Sequence, residues 1–159
     1  MPAFDASSFI HAWDSYPPEN FPPLWKWIGK QINEGNFVIP KVAFEEVAGK
    51  IPECAQWLKE QDIQKIKVTD DIIQEAMRIK DLLKISGDNY RAGVGENDLL
   101  IIATASAHGF ELITNEKLQT SLPSNLANRK IPAVCKMDDV NVSCMDFLGI
   151  IKQSNEVFG

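Results

Sequence analysis

A chain of 159 residues, 45% apolar and 24% charged, can bury one substantial core, so disordered and fibrous classes are set aside. Sixteen Lys and Arg against 22 Asp and Glu give a net charge of −6, which supplies no electrostatic footprint for a phosphate backbone or an anionic lipid surface. Cys54, Cys135 and Cys144 are too few and too widely spaced for a disulfide framework or a zinc half-site, and read as reduced thiols of a cytoplasmic protein.

In chain order, Pro2-Ala3-Phe4-Asp5 reads as a brief first strand, after which Ser7 or Ser8 caps a helix through Phe9, Ile10, Ala12 and Trp13. Pro17-Pro18 and Pro22-Pro23 break the chain. Leu24, Trp25, Ile28 and Ile32 then recur at helical spacing until Gly35 stops the helix. Asn36-Phe37-Val38-Ile39 reads as a buried strand, and Pro40 suits the first position of a helix carrying Val42, Glu45, Glu46 and Val47. A short helix at Ala55 to Leu58 and an edge segment at Ile63 to Val68 follow. A longer helix capped by Asp70 or Asp71 runs through Ile73, Ala76, Met77, Ile79, Leu82 and Leu83 to Gly87.

Ser86 to Gly95 is polar, glycine-containing loop with no compositional shift after it, so residues 1–159 read as one domain. The clearest helix is Glu96-Asn97-Asp98 leading into Leu99 to Ala105 and closed by His108-Gly109. It is apolar on nearly all sides, which places it in the interior, packed on the strand Phe110 to Thr114. The apolar run Leu99 to Ala105 is also the longest in the chain and far below the roughly 20 residues needed to span a bilayer. The start has no basic stretch leading into an apolar one, so no signal peptide is read. Ile131 to Cys135 reads as a last strand at an edge, and Ser143 to Lys152 as a last helix. Alternating strands and helices predict a three-layer α/β/α sandwich around a mostly parallel sheet.

In such a sheet ligands bind outside the carboxyl ends of the strands, and acids collect just after the apolar runs. Asp5 follows the first strand, Glu45 and Glu46 lie in the helix after the second, Asp98 opens the buried helix, and Glu116 stands two residues past Thr114. Carboxylates gathered without Lys or Arg repel one another, and the usual remedies are raised pKa values or a bound hard cation. Mg²⁺ or Mn²⁺ takes oxygen ligands and keeps waters, the arrangement that serves phosphodiester hydrolysis. Each acid also has a plainer reading. Asp5 and Asp98 suit helix starts, where acids favour the dipole; Glu45 and Glu46 suit a solvated face, and only one of them can point at a crevice. His11 and His108 stand without a nucleophile or ligand spacing, and Trp13, Trp25, Trp27 and Trp57 read as core and cover.

Four segments together resemble a PIN domain. Phe4-Asp5-Ala6-Ser7 is similar to that family's first strand with its acid and a small hydroxyl residue two positions on. Ile39 to Val47 resembles its proline-started second helix, in a register that selects Glu46 over Glu45. Asn97 to Ala105 is similar to its Asp followed by an apolar, alanine-containing helix, and Gly109 to Glu116 to its strand ending in Thr and then an acid. The resemblance covers Pro2 to Lys117 directly. Lys130 to Cys135 further resembles a bacterial PIN-like subgroup associated with toxin–antitoxin loci.

The resemblance implies a PIN-like fold and a Mg²⁺- or Mn²⁺-dependent ribonuclease acting on RNA in the cytoplasm, often a toxin held by an antitoxin and often a homodimer. Carried over, Asp5, Asp98 and Glu116 are the metal-binding acids, and Glu46 helps hold a metal or orients the attacking water. Ser7, Asn97 and Thr114 support them through hydrogen bonds. One departure stands out: Glu116 occupies a place where most PIN domains have Asp. It motivates a second expectation, a catalytically weakened PIN-like module that acts by binding a partner protein. A third class, another acid-rich phosphohydrolase of small phosphoesters, is lowered because Asp5-Ala6-Ser7 replaces the phosphatase Asp-x-Asp. Once the four acids are assigned to a site, the remaining acids nearly balance the bases, so the net charge no longer argues against RNA.

Overall fold

Strands only two or three residues long form the centre of this protein. The computed structural model describes all residues 1–159. In it β1 (Pro2–Phe4), β2 (Val38–Pro40), β3 (Gln64–Ile66), β4 (Glu111–Ile113) and β5 (Cys144–Met145) pair in the order β3-β2-β1-β4-β5. Every pairing is parallel. Ala3, Phe4, Val38, Ile39, Leu112 and Ile113 are all fully buried. Because successive strand residues face opposite sides, burial of adjacent pairs means that helices cover both faces. The result is the predicted α/β/α sandwich, with an all-parallel sheet.

The helices follow from the patterns read above. They are α1 (Ala6–Ser15), α2 (Pro22–Asn33), α3 (Lys41–Lys50), α4 (Pro52–Glu60), α5 (Asp70–Leu82), α6 (Glu96–His108), α7 (Ile131–Cys135) and α8 (Phe147–Ser154). As its composition requires, α6 buries Leu99, Ile101, Ile102, Ala103 and Ala105, and Gly109 closes it in the left-handed conformation at φ 68°. Thr104 is also buried, and its hydroxyl donates back to the Leu100 carbonyl at 2.7 Å. Phe4 stacks on Phe9 at 4.6 Å and meets Phe37 at 4.9 Å, so truncating Phe4 to Ala would cost about 4 kcal/mol. Trp25 meets both Trp13 and Trp57 edge to face, and Trp27 covers Phe37, which is the core-and-cover role expected of the tryptophans.

The structure corrects the sequence reading mainly at the C-terminal end. Ile131 to Cys135 is a short buried helix, with Pro132 in its first turn, where a missing N–H costs nothing. An apolar run with one proline fits an edge strand and a helix start equally well, and burial of all five residues marks the helix. The last strand is Cys144–Met145, fixed by Leu112 N–H to the Ser143 carbonyl at 2.8 Å and Thr114 N–H to the Met145 carbonyl at 2.9 Å. The last helix therefore begins at Phe147, with Asp146 Oδ1 accepting from Gly149 N–H at 2.7 Å.

Smaller shifts concern the caps. Asp5 holds the cap position of α1 instead of Ser7 or Ser8, Pro40 ends β2 and precedes α3, and Thr69 caps α5 in place of Asp70 or Asp71.

Candidate active site

The sheet order places a topological switch between β1 and β4: from β1 the chain moves outward through β2 to β3, then returns to the other side of β1 as β4. The carboxyl ends of these two central strands leave a crevice there. Asp5 follows β1 and Thr114, Asn115 and Glu116 follow β4, with the Asp5 N–H donating to the Ile113 carbonyl at 2.8 Å. Helices between parallel strands run against the strand direction, so the first turns of α3 and α6 also start at this edge.

Asp5 is only 2% exposed. Its Oδ2 accepts the Ser7 hydroxyl at 2.6 Å and the Thr114 hydroxyl at 2.8 Å, and its side chain makes no cap bond to α1. Ser7 Oγ in turn accepts the Asn115 N–H at 2.9 Å, and Thr114 Oγ1 accepts the Glu116 N–H at 3.2 Å. The two hydroxyls predicted to support the site thus lock the central acid to the loop carrying Glu116. Asn115 extends the lock, its Oδ1 accepting from Phe147 N–H at 3.0 Å at the start of α8.

Asp5, Glu46 and Glu116 line one cleft of about 270 Å³, together with Ser7, Asn115, His11 and Lys50. Glu46 is half-buried while Glu45 is exposed, as the register of the helix requires. Asp98 does not line the cleft. Its Oδ2 accepts the Gly95 N–H at 2.9 Å at the start of α6, the capping role that its position also suggested. Asn97 is exposed beside it, near enough to the Glu46 carboxyl to lower its pKa by hydrogen bonding. His11 and Lys50 were not read as site residues. Each sits four positions after one that was, His11 after Ser7 and Lys50 after Glu46, and so shares its helix face.

Burial pushes the Asp5 carboxyl above its ordinary range; the Ser7 and Thr114 hydroxyls oppose this and the Asp98 charge adds to it. Burial also raises Glu46, with the charges of Asp5 and Asp98 acting in the same direction. Glu116 is pushed up to about 7, first by burial, then by Asp98 and Asp5, against the pull of Lys130. None of the four acids forms an ion pair; the chain's two salt bridges are Lys30–Glu34 and Glu75–Arg78. Mutually repelling oxygen donors with few neutralising cations suit a hard divalent ion. No three Asp, Glu, His or Cys side chains stand close enough to form a ready-made cage, and Mg²⁺ is an ion that is held by one or two carboxylates and keeps several waters.

The family described as Domain of unknown function (DUF4411) matches residues 3–158. No curated protein matches the chain in sequence. Among solved structures, VapBC2 from Rickettsia felis bound to a DNA fragment from their promoter is similar at TM-score 0.58 and 14% identity, covering 91% of this chain and 97% of that one. FitAcB from Neisseria gonorrhoeae is similar at TM-score 0.54 and 15% identity, covering 93% and 99%. These likenesses show the PIN-like fold that the four sequence segments implied.

Proposed function

The chain belongs to the DUF4411 family, and on that premise we propose that it is a Mg²⁺- or Mn²⁺-dependent endoribonuclease and the toxin of a toxin–antitoxin pair. One observation carries the reading: Asp5, Glu46 and Glu116, acids from three distant parts of the chain, line one cleft at the β1–β4 switch without an ion pair, each raised first by burial and then by neighbouring carboxylates. The solved relatives support the toxin–antitoxin part, since both are toxin–antitoxin assemblies, and an antitoxin protein is the proposed partner. Action in the cytoplasm belongs to the same proposal, as does a homodimeric state; no helix is long and apolar enough to cross a membrane.

Asp5, Asp98 and Glu116 would hold the ion, and a bound Mg²⁺ or Mn²⁺ would supply Lewis-acid polarisation of the phosphodiester and activation of the attacking water. Asp5 is kept in one rotamer by two hydroxyl bonds, so its position needs no rearrangement when charge develops. Glu46 faces the cleft from α3 and accepts a hydrogen bond from the attacking water, orienting it toward phosphorus. Glu116, one methylene longer than Asp, reaches the same edge from the loop after β4.

The purified chain should cleave single-stranded RNA with Mg²⁺ or Mn²⁺ and lose that cleavage in Asp5→Asn and Glu46→Gln. Equal rates in wild type and both variants would sink the proposal. Glu116, standing where most PIN domains have Asp, motivates a second reading, a catalytically weakened module that binds a partner protein. Calorimetry that detects no Mn²⁺ binding, with a stable complex to a co-encoded protein, would select it.

A further inference from the structure

The cleft does not end at Glu116. A second groove of about 560 Å³ shares Asn115 and Glu116 with it and runs on between β5, α7 and the loop after β4. Its size is that of a small-ligand pocket. Lys117 and Lys136 line it, both exposed and neither in an ion pair. Two unpaired cations beside a carboxylate cleft are notable in a chain of net charge −6. Of the two acids in the groove wall, Glu116 lies at the end shared with the carboxylate cleft and Asp146 is engaged as the cap of α8. Between the lysines the walls are apolar, from Pro132 and Met145 to Leu118, which is 64% exposed.

Apolar walls flanked by ammonium groups fit a nucleotide, whose base or sugar takes the apolar surface while its phosphates take the charge. A base reaches such walls only when it is unpaired, which selects a single strand. Resting on the nuclease reading, we propose that this groove is the subsite for the nucleotide adjacent to the scissile phosphodiester of single-stranded RNA. Lys117 and Lys136 hold the phosphates, and Leu118, Pro132 and Met145 hold the base or sugar. The strand then leaves the carboxylates on the β5 side of the sheet. Lys117 and Lys136 are positioning residues, acting on substrate placement and not on the reacting atoms.

Fluorescence anisotropy of a labelled oligoribonucleotide tests this in an Asp5→Asn background with Mn²⁺, which keeps the side-chain shape while slowing cleavage. Adding Lys117→Ala and Lys136→Ala together should weaken binding about tenfold at low salt. It should also make the slope of log K against log salt shallower by about 1.4, the value for two lost single-strand phosphate contacts. Lys30→Ala, at the end of α2 that leads into the amino end of β2, should change neither. In the active chain the double variant should raise KM and leave kcat within twofold. Unchanged affinity and salt slope in the double variant, with the parent still binding RNA, would overturn the subsite and leave the nuclease reading standing. Absence of RNA binding in the parent, together with absence of RNA cleavage by the wild type, would overturn both. Unchanged RNA binding with loss of a co-purifying protein would assign the groove to the protein partner instead.

Discussion

Two groups of acids in this protein are built in opposite ways. On α5, Glu75 takes Arg78 Nε at 2.5 Å and Nη2 at 3.0 Å, and the Ser106 hydroxyl of α6 bonds the same carboxylate. Arg78 comes first among the causes that hold the Glu75 carboxyl below its ordinary range. At the β1–β4 edge, Asp5, Glu46 and Glu116 form no ion pair, and all three are raised because burial outweighs the opposing charges of Lys50 on Glu46 and Lys130 on Glu116. Glu75 has its cation three residues away on its own helix, so one short stretch of sequence neutralises it. The edge acids come from separate strands and helices and are left to share a space. An acid that brings its own cation joins two helices, whereas acids that share a buried space keep their protons more tightly.

The sharpest break of this comparison is activity. Asp5→Asn should reduce metal-dependent RNA cleavage at least about 100-fold, about 2.7 kcal/mol of barrier, while Glu75→Gln stays within twofold. A similar loss in both, at matched folded fraction, would erase the distinction.

The second is pH dependence without metal, where the two groups carry opposite signs. Glu116 has a folded pKa of about 7 against an ordinary 4.5, so the folded state holds its proton more tightly than the unfolded one. Stability is then fullest below about 4.5 and is lost as pH rises through about 7, by at most about 3 kcal/mol. Glu116→Gln should flatten that fall in urea midpoints measured across the window. For Glu75, the lowered pKa gives stability that is present above its ordinary value and lost as pH falls below it, and Glu75→Gln should flatten only the acid limb.

Smaller still is the response to an added ion. Mg²⁺ or Mn²⁺ at ten times its Kd should stabilise the wild type by about 1.4 kcal/mol at pH 7.5, read as a rise in Tm. That rise should vanish in Asp5→Asn and persist in Glu75→Gln. The smallest effect is the stability cost of Glu75→Gln itself, about 1 kcal/mol at neutral pH by chemical denaturation. A cost several times larger would mean that the α5–α6 contact depends on this pair far more than its partial exposure suggests.

Much of this was legible in the sequence because it is local. The apolar runs at Phe37 to Ile39 and Phe110 to Ile113 declare strands, and α6 declares its burial through residues apolar on every side. That only one of Glu45 and Glu46 can face a crevice is a property of one helix, and the resemblance to the PIN family selected Glu46. The errors fell where a pattern has two local solutions: Ile131 to Cys135 fits an edge strand or a proline-started helix, and Cys144–Met145 is too short to carry any periodicity. His11 and Lys50 were passed over because a solitary His or Lys on a helix gives no signal until something faces it.

By itself, then, the sequence determined the elements as far as β4, the α/β class with a mostly parallel sheet and the acids that follow the apolar runs, since propensity, periodicity and capping act within about ten residues. Only the tertiary structure decided that Asp5 is held by Ser7 and Thr114, residues separated by more than a hundred positions from one another. Only it showed that Asp98 caps its own helix while its charge still reaches the cleft, and that the cleft opens into a lysine-lined groove. Hydrogen bonds close at 3 Å and charges interact through space, and neither depends on distance along the chain.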